Sequence, residues 1–157
     1  MEGQLNVLSE SLDEKIQILQ KLQGYCELQE GAFQDGKADL EAFDEAVEAK
    51  DQLIDSLDRL DNGFEALYEK LSKELEGNRE RYASEIRTLQ EKITRVTELS
   101  VSIQAQEARN KKRVEEYFAA ARQEIGKNRR GSKAAYDYYK NMRGADYSSP
   151  QFMDSKQ

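Results

Sequence analysis

The chain has 157 residues, 38% hydrophobic and 35% charged, with one Pro, one Cys and neither His nor Trp. The missing histidine removes imidazole bases, Ser–His and Cys–His nucleophile pairs and Cys2His2 zinc sites, and a single cysteine can neither close a disulfide within the chain nor build a thiolate metal cage. The net charge of −7 conceals an asymmetry about Gly77: residues 1–77 carry 20 acidic and 7 basic side chains (−13), and residues 78–157 carry 11 and 17 (+6).

The first apolar pattern runs through Leu5, Leu8, Leu12, Ile16, Leu19, Leu22 and Cys26 in steps of three and four, which places these residues on one helix face. Gly31 and Asp35-Gly36 interrupt it, so helix 1 is predicted at about 4–30. The second pattern comprises Leu40, Phe43, Val47, Leu53 or Ile54, Leu57, Leu60, Phe64, Leu67 or Tyr68, Leu71 and Leu75, a helix of about 38–76. Lys50 and Asp61 fall at or beside seam positions that call for apolar residues, and Asp61-Asn62-Gly63 is the expected irregularity. Gly77 and Asn78 read as a C′ glycine followed by an N-cap. The third pattern, predicted at about 79–126, runs from Tyr82 through Ile86, Leu89, Ile93, Val96, Ser100 and Ile103 to Val114, Tyr117 or Phe118, Ala121 and Ile125. Glu107 and Asn110 interrupt it: either Asn110 fixes register by bonding across the helix pair, or the repeat loosens there to set off a partner-binding segment. A Tyr-rich tail, 127–157, follows, with one more short helix available at 132–142.

The expected fold is all-α, an elongated antiparallel three-helix bundle of coiled-coil type over 1–126 with a partly flexible C-terminal tail. A mean hydropathy of −0.91 and a single Pro, at 150, suit long solvated helices. No apolar run of about 18 residues and no basic-then-apolar N-terminus appear, so the expected compartment is the cytoplasm, with Cys26 a reduced thiol. The three helices differ in length. Helix 1 is expected to reach only to about Phe64 on helix 2, so the hairpin carrying Leu67, Leu71 and Leu75 against Tyr82, Ile86 and Leu89, and helix 3 beyond Val114, are expected to leave apolar stripes without an intramolecular partner, as protein–protein surfaces do. The candidate partner-binding residues are Val114, Tyr117, Phe118, Ala121 and Ile125.

Carboxylate pairs such as Asp13/Glu14 and Glu115/Glu116 are too many and too similarly placed to single out a catalytic acid. Cys26, on the helix 1 stripe, reads as a packed small side chain rather than a nucleophile. Basic clusters at Arg109 to Arg113 and at Lys127, Arg129, Arg130 and Lys133 belong to a chain that is acidic overall, so nucleic acid is not the expected partner. The charge split is better explained by the two halves lying against each other. Tyr136, Tyr138, Tyr139, Tyr147 and Phe152 in the tail are either anchors on a partner or fold back onto the bundle.

The runs Lys50-Asp51-Gln52-Leu53-Ile54 and Leu57-Asp58-Arg59-Leu60-Asp61-Asn62-Gly63-Phe64, then Ile103-Gln104 with Asn110-Lys111, resemble the FlgN family of flagellar export chaperones. The tail Lys133-Ala134-Ala135-Tyr136-Asp137-Tyr138-Tyr139-Lys140 and the ending Pro150-Gln151-Phe152-Met153-Asp154-Ser155-Lys156 extend the resemblance. It implies a cytoplasmic binding protein with no catalysis and no cofactor. Such a protein holds hook-associated (hook–filament junction) proteins by their C-terminal helical segments and delivers them to the cytoplasmic domain of the export-gate protein FlhA, meeting the membrane only through that gate. The gate-docking aromatic stays open among Tyr117, Phe118, Tyr136, Tyr138 and Tyr139, with Tyr147 and Phe152 as further tail anchors. The alternative reading is a self-associating coiled-coil adaptor or scaffold, and the resting state, monomer or homodimer, stays open with it.

Overall fold

A computed structural model describes residues 1–34 and 37–122. They form three helices in an up-down-up order: α1 (Glu2–Ala32), α2 (Leu40–Gly77) and α3 (Ala83–Ala121). At 1.5 Å per residue these are rods of about 46, 57 and 58 Å. Successive helices are antiparallel, so α1 and α3 run parallel, and the side-chain bonds between them join residues 76 to 84 positions apart. α1 packs closely against both of the others. The predicted fold class is therefore the observed one.

Local chemistry explains the boundaries. Asp39 caps α2, its carboxylate accepting from the Ala42 N–H at 3.0 Å, and its own N–H donates to the Ala32 carbonyl at 2.8 Å, which ties the α1–α2 connection shut. The second reversal differs from the expected one. Gly77 is the last residue of α2, Asn78 is a C-cap rather than an N-cap, and α3 starts at Ala83, four residues later than predicted. The Asn78 side-chain amide donates to the Glu74 carbonyl at 2.8 Å, so it serves the carbonyls that α2 leaves open and not the amides of α3. Tyr82 takes the N-cap position, and its ring is buried at the closed end of the hairpin.

Asp61-Asn62-Gly63 does not break α2, which is continuous from Leu40 to Gly77. Asp61 instead reaches the buried Lys15 of α1 at 2.8 Å. A β-carbon added at Gly63 would meet nothing within 4 Å, so the glycine there costs helix propensity alone.

Most apolar side chains join one core, from Leu5, Leu8, Leu12, Leu19 and Leu22 on α1 through Leu57, Phe64, Leu71 and Leu75 on α2 to Tyr82, Ile86, Leu89, Val96, Leu99 and Ile103 on α3. The hairpin end thus contradicts one expectation: Leu71, Leu75, Tyr82, Ile86 and Leu89 are buried together, and Leu67 packs half-buried against them. The reason is the register of α1, which packs against both other helices and, with Lys15 level with Asp61, brings Leu5 into the same cluster and Met1 against it, so α1 covers the hairpin end. Two ion pairs follow the charge split, Asp13 with Lys92 at 3.0 Å and Glu30 with Arg113 at 3.2 Å, each an acid of α1 meeting a base of α3. No helix among the described residues is long and apolar enough to cross a membrane.

Candidate functional site

At the opposite end from the Asn78–Tyr82 turn, a second, smaller apolar cluster brings together Ala32, Phe43 and Val114, with Phe33, Val47 and Phe118 packed around it. Phe33 organises this end. Its ring lies edge-on to Phe43 at 5.1 Å, to Tyr117 at 5.3 Å and to Phe118 at 6.4 Å between centroids, and Tyr117 and Phe118 meet at 5.1 Å. Edge-to-face aromatic pairs add about 0.5–1.5 kcal/mol each beyond the area they bury. Beside them runs a groove of about 450 Å³ lined by Phe33, Lys37, Arg113, Glu116, Tyr117, Ala120 and Ala121.

The sequence-predicted residues divide accordingly. Val114 is buried, Tyr117, Phe118 and Ala121 are half-buried, and all four lie at this end. The expectation that the stripe beyond Val114 lacks an intramolecular partner is corrected: Val114 packs on Ala32 and Phe43, and Phe33 covers the two aromatic rings. Among the described residues, the groove side stays open. Ile125, the tail residues Tyr136, Tyr138, Tyr139, Tyr147 and Phe152, the short helix at 132–142 and the basic cluster from Lys127 lie outside the described residues. Phe33 is the residue that periodicity misses, because it follows the end of the helix 1 pattern. Its signal is an aromatic residue set between Gly31 and Asp35-Gly36.

One turn below the aromatic end, a polar layer crosses all three helices. Lys50 of α2 is fully buried and donates to Gln29 of α1 at 2.7 Å and to the Glu107 carboxylate of α3. The Cys26 thiol donates to the same Glu107 oxygen at 2.8 Å, and the Asn110 side-chain amide donates to the Cys26 carbonyl at 2.9 Å. Asn110 therefore bonds across to α1, the first of the two readings of the interrupted repeat. Cys26 is packed as expected but is also a hydrogen-bond donor. Two buried atoms of the layer, Gln29 Nε2 and Asn110 Oδ1, have no hydrogen-bond partner among the described residues.

Burial pulls the Lys50 ammonium down to about 8, against the opposing influence of Cys26. Burial likewise raises the Cys26 thiol, and Lys50 opposes it. The Lys50 ammonium and the Cys26 thiol both donate within the layer, to Gln29 and to the Glu107 carboxylate. Among the described residues no group of three or more His, Cys, Asp or Glu is placed to hold a metal ion. What the geometry offers is an open groove of mixed character at one end of a helical rod, with Phe33, Tyr117, Ala120 and Ala121 beside the charged Lys37, Arg113 and Glu116.

A family model described as FlgN protein matches residues 1–144. No curated protein and no solved structure matches the chain.

Proposed function

We propose, for a chain that belongs to the FlgN family, a flagellar export chaperone that holds hook-associated proteins in an unassembled state and delivers them to the export gate. Family membership supports the general role of export chaperone. The cargo and the gate are the finer part of the reading. In it, the C-terminal helical segment of a hook-associated protein lies along the groove beside Phe33, Tyr117, Ala120 and Ala121, and Ile125 is a further contact residue by the sequence pattern. Tyr136, Tyr138, Tyr139, Tyr147 and Phe152 engage the cytoplasmic domain of FlhA. The protein works in the cytoplasm by binding alone.

The observation that carries this reading is the open aromatic groove on the last turns of α3, on the segment that leads into the tyrosine-rich tail. Burying an apolar helix face there gains about 25 cal/mol per Å² removed from water, and the charges around the groove keep the empty protein soluble. The test is size-exclusion chromatography with purified hook-associated proteins. A defined complex that is lost in Ala120→Glu, which fills the groove from an exposed position, while helicity is kept, is the expected outcome. Full affinity in that variant overturns the site, and no complex with any hook-associated protein overturns the cargo.

A further inference from the structure

We infer that the end of the bundle built on Phe33, Phe43 and Val114 opens as a cooperative unit of its own, bounded by the buried polar layer of Cys26, Gln29, Lys50, Glu107 and Asn110, while the opposite end stays closed. Apolar contacts make helices cooperative, and here they come in two separate clusters. The larger joins all three helices from Leu5 to Ile103. The smaller has three buried side chains, Ala32, Phe43 and Val114. The polar layer lies between them in the order of the chain on every helix: Gln29 falls between Cys26, where the larger cluster ends on α1, and Ala32, Lys50 follows Phe43, and Glu107 and Asn110 precede Val114.

Such a layer separates the two clusters energetically as well as spatially. Parting the helices beyond an apolar layer exposes that layer to water at full cost. Parting them beyond this one lets water reach Lys50 and Glu107, whose solvation offsets much of the bonding they give up. Gln29 Nε2 and Asn110 Oδ1 gain outright, because they have no hydrogen-bond partner among the described residues. What resists opening is the small cluster, the rings around Phe33 and the half-exposed Glu30–Arg113 pair, and exposed ion pairs contribute little. At the other end Leu71, Leu75, Tyr82 and Ile86 belong to the main core, whose apolar packing continues on both sides of the partly exposed Lys15–Asp61 pair through Leu12, Leu19, Leu57 and Phe64, so that end opens only when the core does.

Opening uncovers Phe43 and Val114 to an incoming helix and so widens the groove from a surface channel into a full seam. This use of the opening rests on the function proposed above, whereas the opening itself is a property of the free chain.

Native-state hydrogen exchange on the full chain tests it without any partner. In low denaturant, amides of 43–47 and 114–118 are expected to share one opening with a common, small denaturant dependence. They should exchange at least about tenfold faster than those of 12–22 and of the 71–75 and 86–89 segments, as a sub-global unit does. The triple variant Gln29→Leu/Lys50→Met/Glu107→Leu, which makes the layer apolar, should slow the distal amides to the rate of the core. Fraying of helix ends gives a graded pattern that is alike at both ends and ignores the triple variant, and that result overturns the inference. So does distal exchange seen only through global unfolding. The comparison of the two ends in the unaltered protein decides the matter even where the variant fails to fold. If the unit opens but no hook-associated protein slows its exchange, the proposed cargo fails and the opening stands.

Discussion

Lys50 of α2 and Glu107 of α3 form an ion pair removed from water, with both side chains at most 1% exposed. Removing one partner leaves a buried charge alone, at a typical cost of about 3–5 kcal/mol, whereas replacing both with apolar side chains of similar size is often neutral. Lys50→Met and Glu107→Leu are each expected to destabilise the bundle by several kcal/mol in urea titrations. The double variant should recover most of that loss, giving a large coupling in the double-mutant cycle. Additive losses would show that the two side chains do not act as a pair.

The same lysine makes stability depend on pH. Its ordinary pKa of 10.5 falls to about 8 in the folded chain. Between those values the unfolded chain keeps a proton that the folded chain has released, so the contribution of Lys50 to stability rises with pH across that window. The Cys26 thiol acts in the opposite sense, because a pKa raised above 9.0 means that the unfolded chain ionises first as pH climbs. In Cys26→Ser, urea stability is expected to rise between pH 8 and 10, and this rise should vanish when Lys50→Met is added. Lysine side-chain NMR should show one titration near 8 that is missing from Lys50→Met.

Asn110 sets register at a cost. Its amide reaches the Cys26 carbonyl, but its oxygen is buried without a hydrogen-bond partner among the described residues. Asn110→Leu is expected to change stability by no more than about 1 kcal/mol while loosening the register of α3 on α1. Light scattering should then detect more than one species, and a uniform species identical to the parent protein would remove the registry role.

Gly63 offers a clean gain. It sits mid-helix with open space where a β-carbon would go. Gly63→Ala should add roughly 0.5–1 kcal/mol of stability in thermal or urea melts. A loss would mean that the α1–α2 face closes more tightly over that position than the structure shows.

Phe33 holds the aromatic end together through contacts with Phe43, Tyr117 and Phe118. Phe33→Ala is expected to lower the melting temperature modestly, by about 2 kcal/mol of stability, and to speed hydrogen exchange at 114–118 selectively. Uniform acceleration along the whole chain would instead make Phe33 part of the global core.

Three helices were legible because the apolar steps of three and four persist for several turns, and a buried stripe cannot tolerate drift. The seam residues Lys50, Asp61, Glu107 and Asn110 were also legible as exceptions to the pattern. Their partners were not, since Lys50 meets Glu107 and Lys15 meets Asp61 only once the helices take their register, 57 and 46 positions apart in sequence. The start of α3 was misplaced because Asn78 caps either helix terminus equally well by composition, and the choice rests on where the Tyr82 ring can be buried. At the site, Val114, Tyr117, Phe118 and Ala121 were readable from the stripe. Phe33 lies beyond any periodic segment and is found only when the chain turns back.

The distance in sequence between Lys50 and Glu107 also bears on how the chain is made. During synthesis α1 and α2 emerge first, and for the next 57 residues the lysine has no carboxylate from α3 to meet. A hairpin of α1 and α2 formed early must therefore keep water around Gln29 and Lys50 until the middle of α3 arrives. Dehydration of that layer is a late event in the life of the chain, set by the order in which the ribosome delivers its charges.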